Sequence, residues 1–296
     1  VAERGATAPN DRARPLRAPA DEMLRTLIAA GAFTMADLER NRAGRVSGRQ
    51  WVGAVARALG GLLLAAAKGF TAYAYLIQDQ ADRQDENNMR AAERLRQRSS
   101  GLYLRGRNYA LRGLETNHPG FTRALRDNRE AALKRTKIDD VPFLYWAGTA
   151  WAGAVAVAKN DPDLLVNLPT AGALVARVLD LGEGYDKGAA HEFFISFEAG
   201  RPGGSADKAR SHYRRALEYS RGERASLHVA LAESVALRQQ NLAEFKNLLQ
   251  AALAVRVEKF PQARLTNTLA QQRARWLKSR IDELFLDSET LQEESK

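Results

Sequence analysis

The chain contains no cysteine. A disulfide framework, a cysteine-ligated zinc site and a thiol nucleophile are all excluded, and composition carries no redox mark of compartment. Histidine is scarce as well, and His118, His191, His212 and His228 show no spacing that would put metal ligands on one helical face. Aromatic residues make up 7% of the chain, and β-branched residues are few beside alanine, leucine and arginine, which disfavours strands. Long uncharged apolar runs are missing. Arg57 and Lys68 interrupt the most hydrophobic stretch, 51–77, and leave less than the ~20 residues that cross a bilayer. That stretch reads as a buried pair of helices, with an interfacial helix as the alternative. No glycine-rich phosphate loop follows a strand. Neither a cofactor nor a metal is expected.

What is present is enough apolar sequence, 45% of 296 residues, to bury a core. A formal charge of +10 invites phosphate binding. The arginines are spread along the chain among 35 acids, however, without a basic block interleaved with aromatics. A solvated arginine-rich surface is expected, with no nucleic-acid partner.

Residues 1–50 carry Pro9, Pro15 and Pro19 and little apolar content, and are expected to be poorly ordered apart from short helices at 20–28 and after Thr34. Residues 51–286 read as one helical-repeat domain, and 287–296 as a polar tail. Helical spacing appears at 62–80 and 91–115, and His118-Pro119-Gly120 ends the second of these. Asp139 and Asp140 before Val141-Pro142 signal a capped start, and Asn160-Asp161-Pro162 a stop and restart. Hairpins follow at 185–199 with 206–219 and at 223–238 with 242–255, then a long helix over 261–286. Ala209, Tyr213 and Ala216 show the small-aromatic-small spacing of a tetratricopeptide second helix, and equivalent points at Val178, Ala216 and Ala251 lie 38 and 35 residues apart, near that repeat's period of about 34. The predicted fold is all-α: a tetratricopeptide-like array of helical hairpins, an α/α superhelix, with a long C-terminal capping helix. Such hairpins bury their apolar faces by stacking, and the inner face becomes a binding surface.

Several stretches, in this order, resemble the T component of tripartite ATP-independent periplasmic (TRAP) transporters. They are LLLAAAKGFTAYAY at 62–75, LYLRGRNYALR at 102–112 with HPGF at 118–121, DVPFLYWAGTAW at 140–151, HEFFI at 191–195, RPGG at 201–204, RLTNTLAQ at 264–271, RARWL at 273–277 and ELFL at 283–286. The resemblance covers about 62–286; the first 60 residues do not match, and no lipid-acceptor cysteine lies among them. It implies a periplasmic, often lipid-anchored accessory protein. Such a protein would meet the transporter's solute-binding component, assemble as a trimer, and pass a hydrophobic or organic-acid ligand through an internal cavity. A general tetratricopeptide scaffold that binds a peptide segment is the alternative.

Seven residues stand out as candidate ligand contacts. Tyr145, Trp146 and Trp151 supply bulk for a cavity wall or a plain core. Arg201, in RPGG, can offer a carboxylate its bidentate fork, or merely occupy a turn. Leu269, Arg273, Trp276, Arg280 and Leu284 step by 4, 3, 4 and 4 along one helical face, so Arg273 beside Trp276 must pair with an acid, snorkel or meet a ligand. His191 beside Glu192 is the most enzyme-like pair, but adjacent helical residues point about 100° apart, which favours a packing histidine. No catalytic residue is expected.

Overall fold

The computed structural model describes residues 48–84, 88–158 and 160–285. The chain divides into two compact units, 1–63 and 64–296. The short helices expected before residue 40 and the polar tail lie outside the described residues.

All described elements are helices and turns, and there is no strand among them. The chain is all-α. In order they are α1 Gly48–Gln84, α2 Met89–Asn117, α3 Phe121–Asp127, α4 Arg129–Lys134, α5 Val141–Val157, α6 Pro162–Leu165, α7 Leu168–Gly182, α8 Ala189–Gly200, α9 Ala206–Ser220, α10 Ser226–Leu231, α11 Leu242–Ala254, α12 Arg264–Lys278 and α13 Ile281–Leu284. Between residues 64 and 296, α2 packs on α5, α5 on α7, α8 on α9, and α10, α11 and α12 on one another.

The stretch 51–77 is one continuous helix, not the expected pair, because nothing in it breaks the i to i−4 ladder. By length and composition alone, Ala58–Gln84 and Pro162–Gly182 are each apolar enough to cross a membrane, at mean hydropathies of 1.3 and 1.5. Each buries one helical stripe against neighbours: Ala67, Ala74 and Ala81 in the first, Ala171, Leu174, Val175 and Val178 in the second.

The joint between α2 and α5 rests on a buried carboxylate. Asp140 was expected to cap α5, yet its side chain makes no cap bond there. It accepts instead from His118 Nε2 at 2.7 Å, Asn117 Nδ2 at 2.8 Å and the Lys137 amide at 2.9 Å. Burial opposes its ionisation, but these donors more than offset it and hold the carboxyl below the usual carboxylate range. His118-Pro119-Gly120 therefore both ends α2 and ties that end to the start of α5, with Gly120 left-handed at φ 79°.

Two further departures have local causes. The helix expected over 223–238 passes from α10 into a π-turn, Ala232–Ala236, closed by a Leu237 amide to Ala232 carbonyl bond. The long closing helix is broken between α12 and α13: Ser279 Oγ donates to the Trp276 carbonyl and competes with the backbone ladder, and Arg280 leaves helical angles at φ −117°, ψ 16°.

Small residues in α5 let helices approach closely, as expected from its text. A Cβ at Gly148 would stand 2.5 Å from Val175 Cγ2 and 2.7 Å from the Ala171 carbonyl oxygen, and one at Gly153 would stand 2.6 Å from the Tyr103 ring. Gly101 in α2, by contrast, has open space around it. Alanine improves helix propensity at any exposed glycine by about 1 kcal/mol. Gly101→Ala should therefore raise stability by up to about 1 kcal/mol. Gly148→Ala should lower it by about 1–3 kcal/mol through overpacking against backbone that cannot yield. Urea unfolding of both variants measures the opposite signs.

Candidate functional site

The densest charge cluster joins three elements. Arg273 of α12, only 13% exposed, places Nη2 2.6 Å and Nε 2.9 Å from Glu233 Oε1 of the π-turn. Its Nη1 lies 3.2 Å from Asp79 Oδ1 and its Nη2 3.1 Å from Asp82 Oδ2, both on α1. Burial disfavours the cation, but Glu233, Asp82 and Asp79 more than compensate and raise the Arg273 pKa above its ordinary value. Trp276, one turn on, has Arg273, Arg280 and Arg83 over its ring at 4.3, 4.8 and 5.4 Å from the centroid. Tyr75 faces the same acids. It keeps 40% of its surface exposed, yet burial, followed by Glu233, pushes its hydroxyl up to about 12. Glu233 behaves alike: its side chain is 30% exposed, and burial pushes its pKa up despite Arg273. Tyr75 and Glu233 thus keep part of their surface exposed within the same charge cluster. An open depression of about 410 Å³ beside them is lined by Asp79, Arg83, Gln272, Arg275, Trp276 and Ser279.

Tyr145 and Trp146 form a second group. Their rings meet edge to face at 5.3 Å, and Tyr185 lies 5.5 Å from Tyr145. Burial, then the nearby Glu192 carboxylate, raises the Tyr145 pKa. Glu192 itself pairs with Arg224 at 2.6 Å, and Arg224 also takes Asp186 Oδ2 at 2.9 Å. His191 therefore does not share a site with Glu192.

His191 is buried and belongs to a third group. Its Nε2 lies 2.9 Å from Glu183 Oε1 and its Nδ1 2.8 Å from His212 Nδ1. The bonds are satisfied when His191 donates Nε2–H to Glu183 and accepts Nδ1–H from His212. Arg215, Tyr219 and His191 all bond to Glu183 and hold its carboxyl down to about 2. Burial, and next the neighbouring His191, lowers the His212 pKa.

Arg201 gives its fork to its own chain, with Nε 3.0 Å from Glu198 Oε1 and Nη2 2.9 Å from Oε2, over the Phe197 ring. Trp151 lies apart again, under the Arg107 guanidinium at 4.7 Å.

Of the seven candidates, the structure thus brings together Tyr145 with Trp146 and Arg273 with Trp276, while Trp151, His191 and Arg201 each keep separate partners. A second open depression, lined by Gly222, His228, Ala251, Ala254, Val255, Arg256, Lys259 and Phe260, holds none of the seven. Sequence reasoning missed Glu233, Asp79, Asp82, Arg224, Glu183, His212 and Arg107. A findable signal existed, because Arg–Glu pairs recur at similar separations in sequence: Glu183 with Arg215 and Glu192 with Arg224 at 32 residues, Arg210 with Glu244 at 34, and Glu233 with Arg273 at 40.

A family model described as "TRAP transporter T-component" matches residues 56–285. A protein of Treponema pallidum (strain Nichols), itself described only as uncharacterized, is 33% identical over 236 residues, 77% of this chain and 73% of that protein.

Arg273→Met should cost about 3–5 kcal/mol in urea unfolding, since it strands desolvated carboxylates. Arg83→Met, which breaks the more exposed pair with Asp79, should cost under about 1 kcal/mol. Stability should also fall on mild acidification. His212 and His228, the latter through burial, have folded pKa values depressed below the ordinary ~6.5. The unfolded chain then binds more protons, so stability is fully present above that value and is lost as pH drops through it toward the folded pKa values. Glu233 and Asp82, with raised pKa values, work in the opposite sense. The urea midpoint at pH 5 should lie below that at pH 7.5, and the difference should shrink in His212→Phe/His228→Phe.

Proposed function

Because the chain belongs to the TRAP transporter T-component family, we propose that it is a periplasmic, tetratricopeptide-type accessory protein of a TRAP-type transport system. It binds the solute-binding component and holds a hydrophobic or organic-acid ligand against its concave wall. The observation that carries the reading is the wall around Trp276, where one aromatic ring is flanked by Arg83, Arg273 and Arg280 beside an open depression. An indole under guanidinium groups suits a partner that is apolar in body and acidic at its edge. Arg273 is pinned by three carboxylates, so it shapes this wall, and Arg280 is bonded to Glu283 at 2.9 Å.

The openness of the depression favours, as a second reading, a scaffold that seats a peptide segment along a groove. His191, buried between Glu183 and His212, has the surroundings of a structural histidine more than those of a catalytic one.

The immobilised chain should retain the purified solute-binding subunit of a TRAP transporter from the same cell. Trp276→Ala should weaken that retention at least tenfold, about 1.4 kcal/mol, with helical circular dichroism unchanged. Recovery from a periplasmic extract of nucleic-acid-binding or cytosolic proteins alone would overturn the transport reading.

A further inference from the structure

The exposed arginines of α2 are held differently from those of the later helices. Arg201, Arg210, Arg215, Arg224 and Arg273 each hold a carboxylate. Arg94, Arg98, Arg105 and Arg112 are exposed, and none of them reaches a carboxylate among the described residues. They stand four, seven and seven residues apart. Seven residues return a helix to within about 20° of the same face, so the four form one row. At about 1.5 Å per residue that row is about 27 Å long. No acid lies in the sequence between Arg94 and Glu115. The two acids that bracket the row are engaged, Glu93 by Gln97 and Glu115 by the Gly120 and Thr122 amides.

Aromatic rings, not acids, hold three of these guanidinium groups. Arg98 lies 5.5 Å from the Tyr73 centroid, and its Nη2 donates to the Tyr73 hydroxyl at 2.8 Å. Arg105 lies 6.0 Å from the Phe70 centroid and Arg112 5.7 Å from that of Tyr109, and those two rings stack on each other at 5.4 Å and 9°. Phe70 and Tyr73 come from α1 and Tyr109 from α2. Packing of the two helices thus interleaves rings with cations, although the two types are not interleaved along the sequence. Tyr73 is 43% exposed. A ring face orients a guanidinium without neutralising its charge, and the remaining N–H groups stay open to acceptor oxygens.

We propose that this face of α1 and α2 lies on the surface of an anionic phospholipid bilayer. A folded protein partner would need an apolar centre to bury, and the positions between the arginines along the row are Gly101 and Asn108, both exposed. A single-stranded nucleic acid would need open ring faces on which to stack bases, and here the rings are covered by guanidinium groups and by each other. An anionic bilayer asks only for cations near its plane and amphipathic rings at headgroup depth. The proposal goes beyond the transport reading and does not depend on the surroundings of Trp276.

Co-sedimentation of the full chain with vesicles tests the face. Vesicles of phosphatidylglycerol and phosphatidylcholine in equal parts should bind the chain, vesicles of phosphatidylcholine alone should not, and about 1 M salt should release it. Partitioning should fall about fivefold for each arginine neutralised, so roughly 100-fold in Arg98→Gln/Arg105→Gln/Arg112→Gln, with helical circular dichroism unchanged. Arg214→Gln/Lys246→Gln/Arg256→Gln removes as much charge from exposed positions on α9, on α11 and just after it. That control should keep partitioning within about threefold, because attraction to a charged surface fades within a Debye length. Equal binding to both vesicle types, an equal loss in the two triple variants, or stronger retention of the chain on polyglutamate or on a single-stranded oligonucleotide than on the vesicles would overturn the proposal. The α2 variant should still retain the solute-binding subunit, so a failure of the vesicle test leaves the transport reading standing.

Discussion

Arg273 sets the terms for the unit spanning residues 64–296. Most helix packing here is between elements near in sequence, and something must tie α1 to α12 across the rest. Arg273 does so: it lies 194 residues from Asp79, and its guanidinium reaches Asp79, Asp82 and Glu233 at once. A cation this desolvated is stable only while those carboxylates stay in place, and they in turn would be stranded without it. The positions of α1, the π-turn and α12 are thus coupled by one mutual requirement. Trp276, Tyr75 and the depression beside them inherit their arrangement from that coupling.

The same chemistry recurs at shorter range. Arg215 with Glu183, Arg224 with Glu192 and Arg210 with Glu244 tie one hairpin to the next. Asn267 plays the polar, uncharged version, accepting from the Ala225 amide and donating to the Glu223 carbonyl. Much of the arginine content is therefore engaged inside the protein or on its aromatic faces, where Arg98 covers Tyr73, Arg105 covers Phe70 and Arg112 covers Tyr109.

Function follows from where charge and aromatic surface coincide. At Trp276 the two meet beside an open depression. The His191 group resembles an acid–base relay in composition; His191 is buried there, and Arg215, Tyr219 and His191 all bond to Glu183.

The all-α class was legible from residues, because propensity and helical spacing act within a few turns. So were most element boundaries: HPG after α2, Val-Pro opening α5, Asn-Asp-Pro between α5 and α6. The breaks were not, since the π-turn after α10 and the Ser279 break depend on hydrogen bonds whose competition the text does not rank. The candidate site was half legible. That Arg273 and Trp276 share a face follows from a spacing of three, and that Arg273 needs acids follows from charge, but which acids does not, because Asp79 is 194 residues away. Likewise, Arg201 shows in sequence only as a guanidinium near a turn; that Glu198 fills its fork is a fact of rotamers. By itself the sequence determined what obeys a period: helices, glycine contacts and the order of motifs. Tertiary structure decided the pairing of charges and the splitting of the aromatic candidates, because desolvation depends on what surrounds a side chain in space.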